Sequence, residues 1–347
     1  MTERLSTIKE SVMEFDPERL DAFLRTSIPG LKGLMHLERI SGGQSNPTFF
    51  VTYDNRRLVL RKQPSGNLLP SAHAVDREYR VMAALRTVGV PVPAMVLYCD
   101  DREVIGTLFY IMERLEGRVF HDAALPGVTA QERGQMYRSL AQALAALHNV
   151  NPAAVGLSDY GKSGNYFKRQ ISRWTRQWEL SRTRDDANIE HLIAWLPRNI
   201  PEDDVTGVSH GDYRVGNVMF HETEPRVIAI LDWELSTLGH PLADLAHACM
   251  GWHSRPEEYG GLEGLDLVTL GLPTEAEFVK TYYDAACHNI RMTSFHMAFA
   301  LFRFAVIFEG IAARAKAGNA ADSEAEKVGP LSARFAQHAL NVLRGRG

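Results

Sequence analysis

Ser209-His-Gly-Asp-Tyr-Arg-Val-Gly-Asn217, followed by Ile230-Leu-Asp-Trp-Glu234, decides how this chain is read. The first segment is a polar loop; the second is the end of an apolar run that closes on an acid. Asp212 and Asn217 stand five positions apart, and Asp232 follows fifteen residues later. A carboxylate to orient an attacking hydroxyl, then an amide and a second carboxylate to ligate a hard cation, is the set that phosphoryl transfer from Mg²⁺-ATP needs.

Bulk properties are compatible with such an enzyme. At 347 residues the chain is long enough for one large domain or two lobes. It is 45% hydrophobic and 23% charged, which suggests neither disorder nor a fibre. A net charge of −4 without a dense Lys/Arg run argues against a nucleic-acid partner. The first ten residues carry no apolar core for a signal peptide, and no stretch approaches ~18 uninterrupted apolar residues, so no membrane partner is expected. Cys99, Cys249 and Cys287 are far apart and in no C-x-x-C pair; free thiols in a reducing cytoplasm are the expectation. Oligomeric state is not encoded in these features.

Upstream of the loop, residues 16–31 read as a short helix stopped by Pro29-Gly30. Leu37 to Tyr53 reads as strand, glycine turn, strand, and Arg57 to Lys62 as a third strand. The turn Ser41-Gly42-Gly43-Gln44-Ser45-Asn46 offers backbone N–H groups and small side chains suited to phosphate, although by itself a glycine turn is most often only a turn. In the third strand Val59 and Arg61 share one face, Leu60 and Lys62 the other. Val75 to Leu85 forms a helix with Val75, Tyr79, Met82 and Leu85 on one side and Glu78 at the edge of that side, from which it could brace Arg61. Gly106 to Glu113 is a hydrophobic strand running into a hinge at residues 112–117, where backbone groups of Met112, Glu113 and Leu115 could read an adenine edge.

From Thr129 on, the pattern is mainly helical. Gln131 to His148 is a core helix with His148 as a packing or capping residue. Ser163 to Arg184 interleaves Ile171, Trp174 and Trp178 with Arg169, Arg173 and Arg176. An amphipathic helix burying its Trp side chains is favoured over a nucleic-acid or acyl-phosphate surface, yet it stands as a candidate wall for the acceptor. His240, Asp244 and His247 have the spacing of a metal face, but His240 precedes Pro241 and falls at the helix start. Asp244 is instead expected to hold the loop carrying Asp232. The acidic, glycine-rich segment 252–271 is placed near the substrate entrance. Two or three helices over 274–317, with Glu309, Arg303 and Arg314 as an internal ion-pair group, and a closing helix over 331–343 complete the chain.

Taken together, these segments resemble the aminoglycoside phosphotransferase/choline kinase group of the kinase-like superfamily. His210-Gly-Asp212-x-x-x-x-Asn217 is similar to the kinase signature H-R-D-x-x-x-x-N with Gly211 in place of Arg. More narrowly, S-G-G-Q-S-N, L-P-S-A-H-A-V-D-R-E and L-D-W-E-L-S-T-L-G-H-P-L-A-D-L-A resemble the kinase-like domain attached to certain acyl-CoA dehydrogenases. The resemblance implies an α+β, two-lobed protein-kinase-like fold: a small antiparallel-sheet N-terminal lobe over residues 1–115 and a larger, mostly helical C-terminal lobe over 116–347, with Mg²⁺-ATP in the cleft. It implies Asp212 as catalytic base, with His210 and Arg214 as further catalytic residues and Arg214 on the transferring phosphoryl. Asn217 and Asp232 would hold Mg²⁺, Arg61 would contact phosphate, and Glu78 would pair with it. By analogy with V-A-I-K, Arg61 is favoured over Lys62 as that cation. The triplet Asp232-Trp233-Glu234 replaces D-F-G and no A-P-E follows, which points away from a regulated protein kinase.

The leading expectation is therefore an ATP- and Mg²⁺-dependent phosphotransferase acting on a hydroxyl of a small molecule, a hydroxy acid or hydroxyacyl thioester. The alternatives are an aminoglycoside or amino-alcohol kinase, a nucleotide-binding module without catalysis, and metal-dependent hydrolysis through His210, Asp212, Asp232 and His247.

Overall fold

Alternation of two sets the first half of the molecule. In β2 (Thr48–Tyr53) Phe49, Val51 and Tyr53 are buried, and in β3 (Arg56–Lys62) Leu58 and Leu60 face the same side. With Phe109 and Ile111 of β5 (Phe109–Glu113) they pack on Leu20 and Leu24 of helix α1 (Pro17–Ser27). β1 (His36–Arg39) and β4 (Met95–Cys99) complete an antiparallel sheet of order β1-β2-β3-β5-β4. Helix α2 (Val75–Arg86) follows β3. Asp16 caps α1 by accepting from the Glu18 amide, and Ile28 turns extended two residues before Gly30. The strand expected from Gly106 starts only at Phe109, because Gly106, at φ +81°, closes a short helix α3 (Arg102–Ile105).

The computed structural model describes residues 14–40, 46–66, 74–316 and 328–345. Two units divide the chain: one holds Met1–Ala83 and Pro93–Leu115, the other Ala84–Val92 and Glu116–Gly347. The phosphate-turn residues Ser41, Gly42, Gly43 and Ser45 lie outside the described residues.

The second unit is built on helices α4 (Ala130–His148), α5 (Tyr166–Ser181), α6 (Ala187–Trp195), α7 (Pro241–Cys249), α8 (Pro256–Tyr259), α9 (Leu267–Leu270), α10 (Glu275–Ala285), α11 (Ser294–Lys316) and α12 (Leu331–Leu343). α11 is long and apolar enough to cross a bilayer, but 78% of its most apolar window is buried, as befits the core helix on which α5, α7 and α12 pack. Two antiparallel strand pairs, β6 (Gly207–Ser209) with β9 (Thr237–Gly239) and β7 (Val218–Phe220) with β8 (Val227–Ile230), bracket the segment 210–217. The 3₁₀ turn Trp233–Leu235 links β8 to β9.

Candidate active site

In the first unit, strand parity sends the two neighbouring cations to opposite faces. Arg61 Nε lies 2.8 Å from Glu78 Oε2 on the α2 side. The Glu78 carboxylate also accepts from Tyr110 Oη at 2.9 Å and from Asn46 Nδ2 at 2.6 Å. A buried ion pair is tolerable only when its remaining lone pairs are satisfied, and these two donors do that. Tyr110 is the cross-strand partner of Arg61, which is how it reaches the same carboxylate. Lys62 is fully buried on the α1 side, its Nζ 2.9 Å from Glu14 Oε2. Its expected alternative role as the phosphate cation is thus corrected: the ammonium is committed to a carboxylate on the other face. Asn46 is corrected likewise, since its side chain is buried and braces Glu78. At the hinge, Met112 is paired on both sides within the sheet, and the Glu113 amide donates to Ala94, so neither N–H is left for a base edge. Leu115 lies beyond β5, outside the sheet.

In the second unit, the loop 210–217 is held from beneath by one buried acid. Asp244, in the first turn of α7, accepts from Ser209 Oγ (2.9 Å), the His210 amide (2.6 Å) and the Gly211 amide (2.9 Å). His148 Nε2 stands 3.4 Å away, and its Nδ1 is 2.7 Å from Tyr282 Oη. Burial raises the Asp244 pKa, but His148 and the Gly211 amide outweigh it and hold the carboxyl at about 2. The expectation that Asp244 fixes the Asp232 loop is corrected: its bonds go to the Asp212 loop. His240, as read from the sequence, caps α7.

Gly211 is required here. Its φ is +86°, and a Cβ would sit 2.8 Å from the Leu235 carbonyl oxygen, so the Arg of the kinase signature has no room. Gly211→Ala should lose at least about 2 kcal/mol of stability, through strain and the displaced 233–235 turn, a cost readable in a melting curve. A melting temperature equal to the parent's would contradict this account.

His210 is fully buried. Its Nδ1 accepts from the Asp212 amide (3.2 Å), which assigns the proton to Nε2, and Nε2 donates to the Leu231 carbonyl (2.7 Å). Burial lowers its pKa, so it is a neutral strut between two loops. A catalytic role for His210 is corrected to a positioning one. With both ring nitrogens engaged it also leaves the ligand set of the hydrolase alternative.

Asp212 is the exposed end of this scaffold, with 24% of its side chain open. His247 Nε2 is 2.9 Å from Oδ1, at an angle away from the ideal hydrogen-bond axis. Arg214 Nε stands 3.6 Å from Oδ2. Burial raises the Asp212 pKa, yet His247 and Arg214 hold the carboxyl far below the usual carboxylate range. Asn217 Nδ2 donates to both the carbonyl (2.8 Å) and Oδ2 (2.7 Å) of Asp212. That turns Oδ1 of Asn217 outward as the atom presented to a cation. The β7–β8 ladder continues through the Leu231 amide to the Asn217 carbonyl (2.8 Å), which sets Asp232 beside Asn217. Asp232 has φ +63°, a left-handed strain for a non-glycine that concentrates at functional positions. An amide oxygen and a carboxylate with no sulfur or imidazole between them suit Mg²⁺.

A phosphotransferase enzyme family model matches residues 36–279. The chain belongs to the phosphotransferase enzyme family. A Ralstonia eutropha protein assigned provisionally as an aminoglycoside phosphotransferase is 43% identical, covering 95% of this chain and 99% of its own, at a TM-score of 0.88. Acyl-CoA dehydrogenase family member 10 of Mus musculus is 41% identical over 319 residues, and the chain spans only 30% of that relative's length. Spectinomycin phosphotransferase, solved with ADP and spectinomycin, shares the fold at 12% identity and a TM-score of 0.63, covering 94% of this chain and 98% of its own. The family supports a small-molecule kinase on the two-lobed α+β fold expected from the sequence.

In this phosphotransferase His247 and Arg214, the two side chains that approach the Asp212 carboxylate, also line a cavity. Trp252, Tyr259, Leu262 and Phe304 are among its walls, and none of its described lining residues is Asp or Glu. Segment 252–271 therefore contributes apolar and aromatic residues to the cavity, while its acids turn elsewhere. Glu258 is buried under Arg334 and His338, and Glu263 lies beside Arg255. The ion-pair group expected on α11 is also redrawn. Glu309 binds Thr183 and Arg184, whereas Arg303 Nη2 donates to the Gly211 carbonyl at 2.7 Å. Tyr110 is the site neighbour that sequence reasoning missed, while His247 was read only as a metal ligand of the hydrolase alternative and Arg303 only as an ion-pair partner. Tyr110 carried a signal, through strand register with Arg61.

Proposed function

We propose that this phosphotransferase moves the γ-phosphoryl of ATP, with Mg²⁺, to a hydroxyl of a small molecule that is not cationic: a hydroxy acid or hydroxyacyl thioester. The observation that carries the reading is the cavity lined by Asp212's neighbours His247 and Arg214, with apolar and aromatic walls and no carboxylate among its described lining residues. Aminoglycosides are polycations and need acidic walls to offset the loss of hydration of their ammonium groups. An acyl chain ending near a hydroxyl needs what this cavity offers. Relatives named as acyl-CoA dehydrogenases lend support to the acyl character of the acceptor.

In this scheme Asp212 accepts the hydrogen bond of the acceptor hydroxyl and sets its lone pair toward the phosphorus. Its low basicity suits a loose transition state, in which the proton leaves late. Arg214 stabilises charge on the transferring phosphoryl. Asn217 and Asp232 would hold Mg²⁺, which supplies neutralisation of phosphate charge when bound. Arg61, braced by Glu78, contacts the nucleotide phosphates.

ADP release measured with a panel of hydroxy acids, their CoA thioesters, amino alcohols and aminoglycosides tests the proposal. Turnover is expected with the first two classes; turnover confined to the cationic acceptors, or with none, overturns it. On the productive acceptor, Arg61→Gln should raise KM for ATP by about 10- to 100-fold, the loss expected of a charge-assisted contact of roughly 1.5–3 kcal/mol. Lys62→Met should leave that KM within about twofold. The reverse ranking would move the phosphate cation back to Lys62.

A further inference from the structure

The α5 helix, with its mix of Trp and Arg, is not absorbed by the chemistry above, and it packs on α11. Arg303 of α11 spends one donor on the Gly211 carbonyl, next to Asp212, and its guanidinium carbon is 5.6 Å from the Trp174 ring centre. Arg173 approaches the same ring to 5.4 Å. Two guanidiniums thus flank one indole. Neither belongs to an ion pair with a described carboxylate; the nearest acid along α11, Glu309, is taken by Thr183 and Arg184. The Trp174 Nε1–H is buried and has no acceptor within the described protein. A buried indole N–H without an acceptor is unfavourable. That cost vanishes if an oxyanion lies against this group, which offers guanidinium forks and an indole donor.

We infer that Arg173, Trp174 and Arg303 form an oxyanion seat for the acceptor, one that selects an anionic substrate and directs its hydroxyl to Asp212. The inference rests on the proposed acyl acceptor and deepens it by naming the residues that read its charge. The oxyanion is either the free carboxylate of a hydroxy acid or a phosphate of the carrier in a thioester.

The test uses Arg173→Gln and Trp174→Phe in the full chain, with butyrate and butyryl-CoA as probes. Neither probe has a hydroxyl, so binding is read by calorimetry apart from turnover. The parent should bind one probe, and Arg173→Gln should weaken that binding by about tenfold or more, the effect of one charge-assisted contact. Trp174→Phe should weaken it by a few-fold, and Arg173→Lys should restore part of the loss. ATP affinity should be unchanged in all three. Response of butyrate assigns a carboxylate; response of butyryl-CoA alone assigns a carrier phosphate. Unchanged probe binding in both variants, weakened ATP binding instead, or a parent that binds neither probe overturns the inference. A parent that phosphorylates an acceptor whose KM is untouched by Arg173→Gln sinks the seat and spares the activity. Arg173-dependent butyryl-CoA binding without any turnover does the opposite.

Discussion

Asp212→Asn is expected to reduce turnover by about 10²–10⁴-fold while ATP still binds and the melting temperature stays close to the parent's. The substitution preserves shape and the Asn217 contact to the main-chain carbonyl, but removes the charge that orients the acceptor hydroxyl. The carboxyl of Asp212 is held far below the usual carboxylate range, so it is ionised throughout the neutral region. Any acid limb in the rate profile above that range must then come from another group. Rapid-quench measurement of ADP formation, set beside calorimetric ATP affinity, separates chemistry from binding. Turnover within about fivefold of the parent would leave Asp212 without its assigned role.

Asp244→Ala should be the most destabilising single change in the second unit, by roughly 3–5 kcal/mol, because it strips the acceptor from three buried donors at once. For a unit of this size that corresponds to a fall of about 10 °C in melting temperature. Asp244→Asn retains one acceptor oxygen but aims an NH₂ group at an amide N–H, so it should fall only part of the way back toward the parent. The same carboxylate sets an acid limit. Its folded pKa of about 2 lies below its ordinary value of 3.8, so the anion favours folding above the ordinary value, and the benefit is lost as pH falls toward 2. About 2 kcal/mol is at stake, the equivalent of the shift. Melting curves between neutrality and acid should show this loss in the parent and a flatter response in Asp244→Ala. A variant as stable as the parent, or an identical pH response, would remove Asp244 as the keystone of the loop.

How much of this was legible beforehand follows from the range of each interaction. Parity along β3 separated Arg61 from Lys62, and helix order after the strand brought Glu78 to Arg61, because both are local rules. The spacing of Asp212, Asn217 and Asp232 carried over since a loop and a hairpin connect them. His210 was misassigned because residue type does not say which side of a loop an imidazole faces; here it faces inward. His247 was grouped with Asp212 only in the hydrolase alternative, and Arg303 reaches the site only after α11 packs beneath it, which nothing in its own surroundings in sequence announces. Asp244 was correctly read as a main-chain acceptor and sent to the wrong loop, since β6 and β9 lie side by side and either strand's continuation was within reach.

Gly211 has a consequence for which substitutions can follow one another. The contact with the Leu235 carbonyl means that an arginine at 211, as in the kinase signature, cannot be installed in one step in this background. The 233–235 turn would have to be displaced first, and that turn begins at Asp232, itself held in a left-handed backbone. Descendants of this chain are thus confined to a lineage in which the loop and the Asp-Trp-Glu turn change together. Recombination that exchanges either segment alone with a kinase-type sequence should yield unfolded chimaeras, and exchange of both together is the route that remains open.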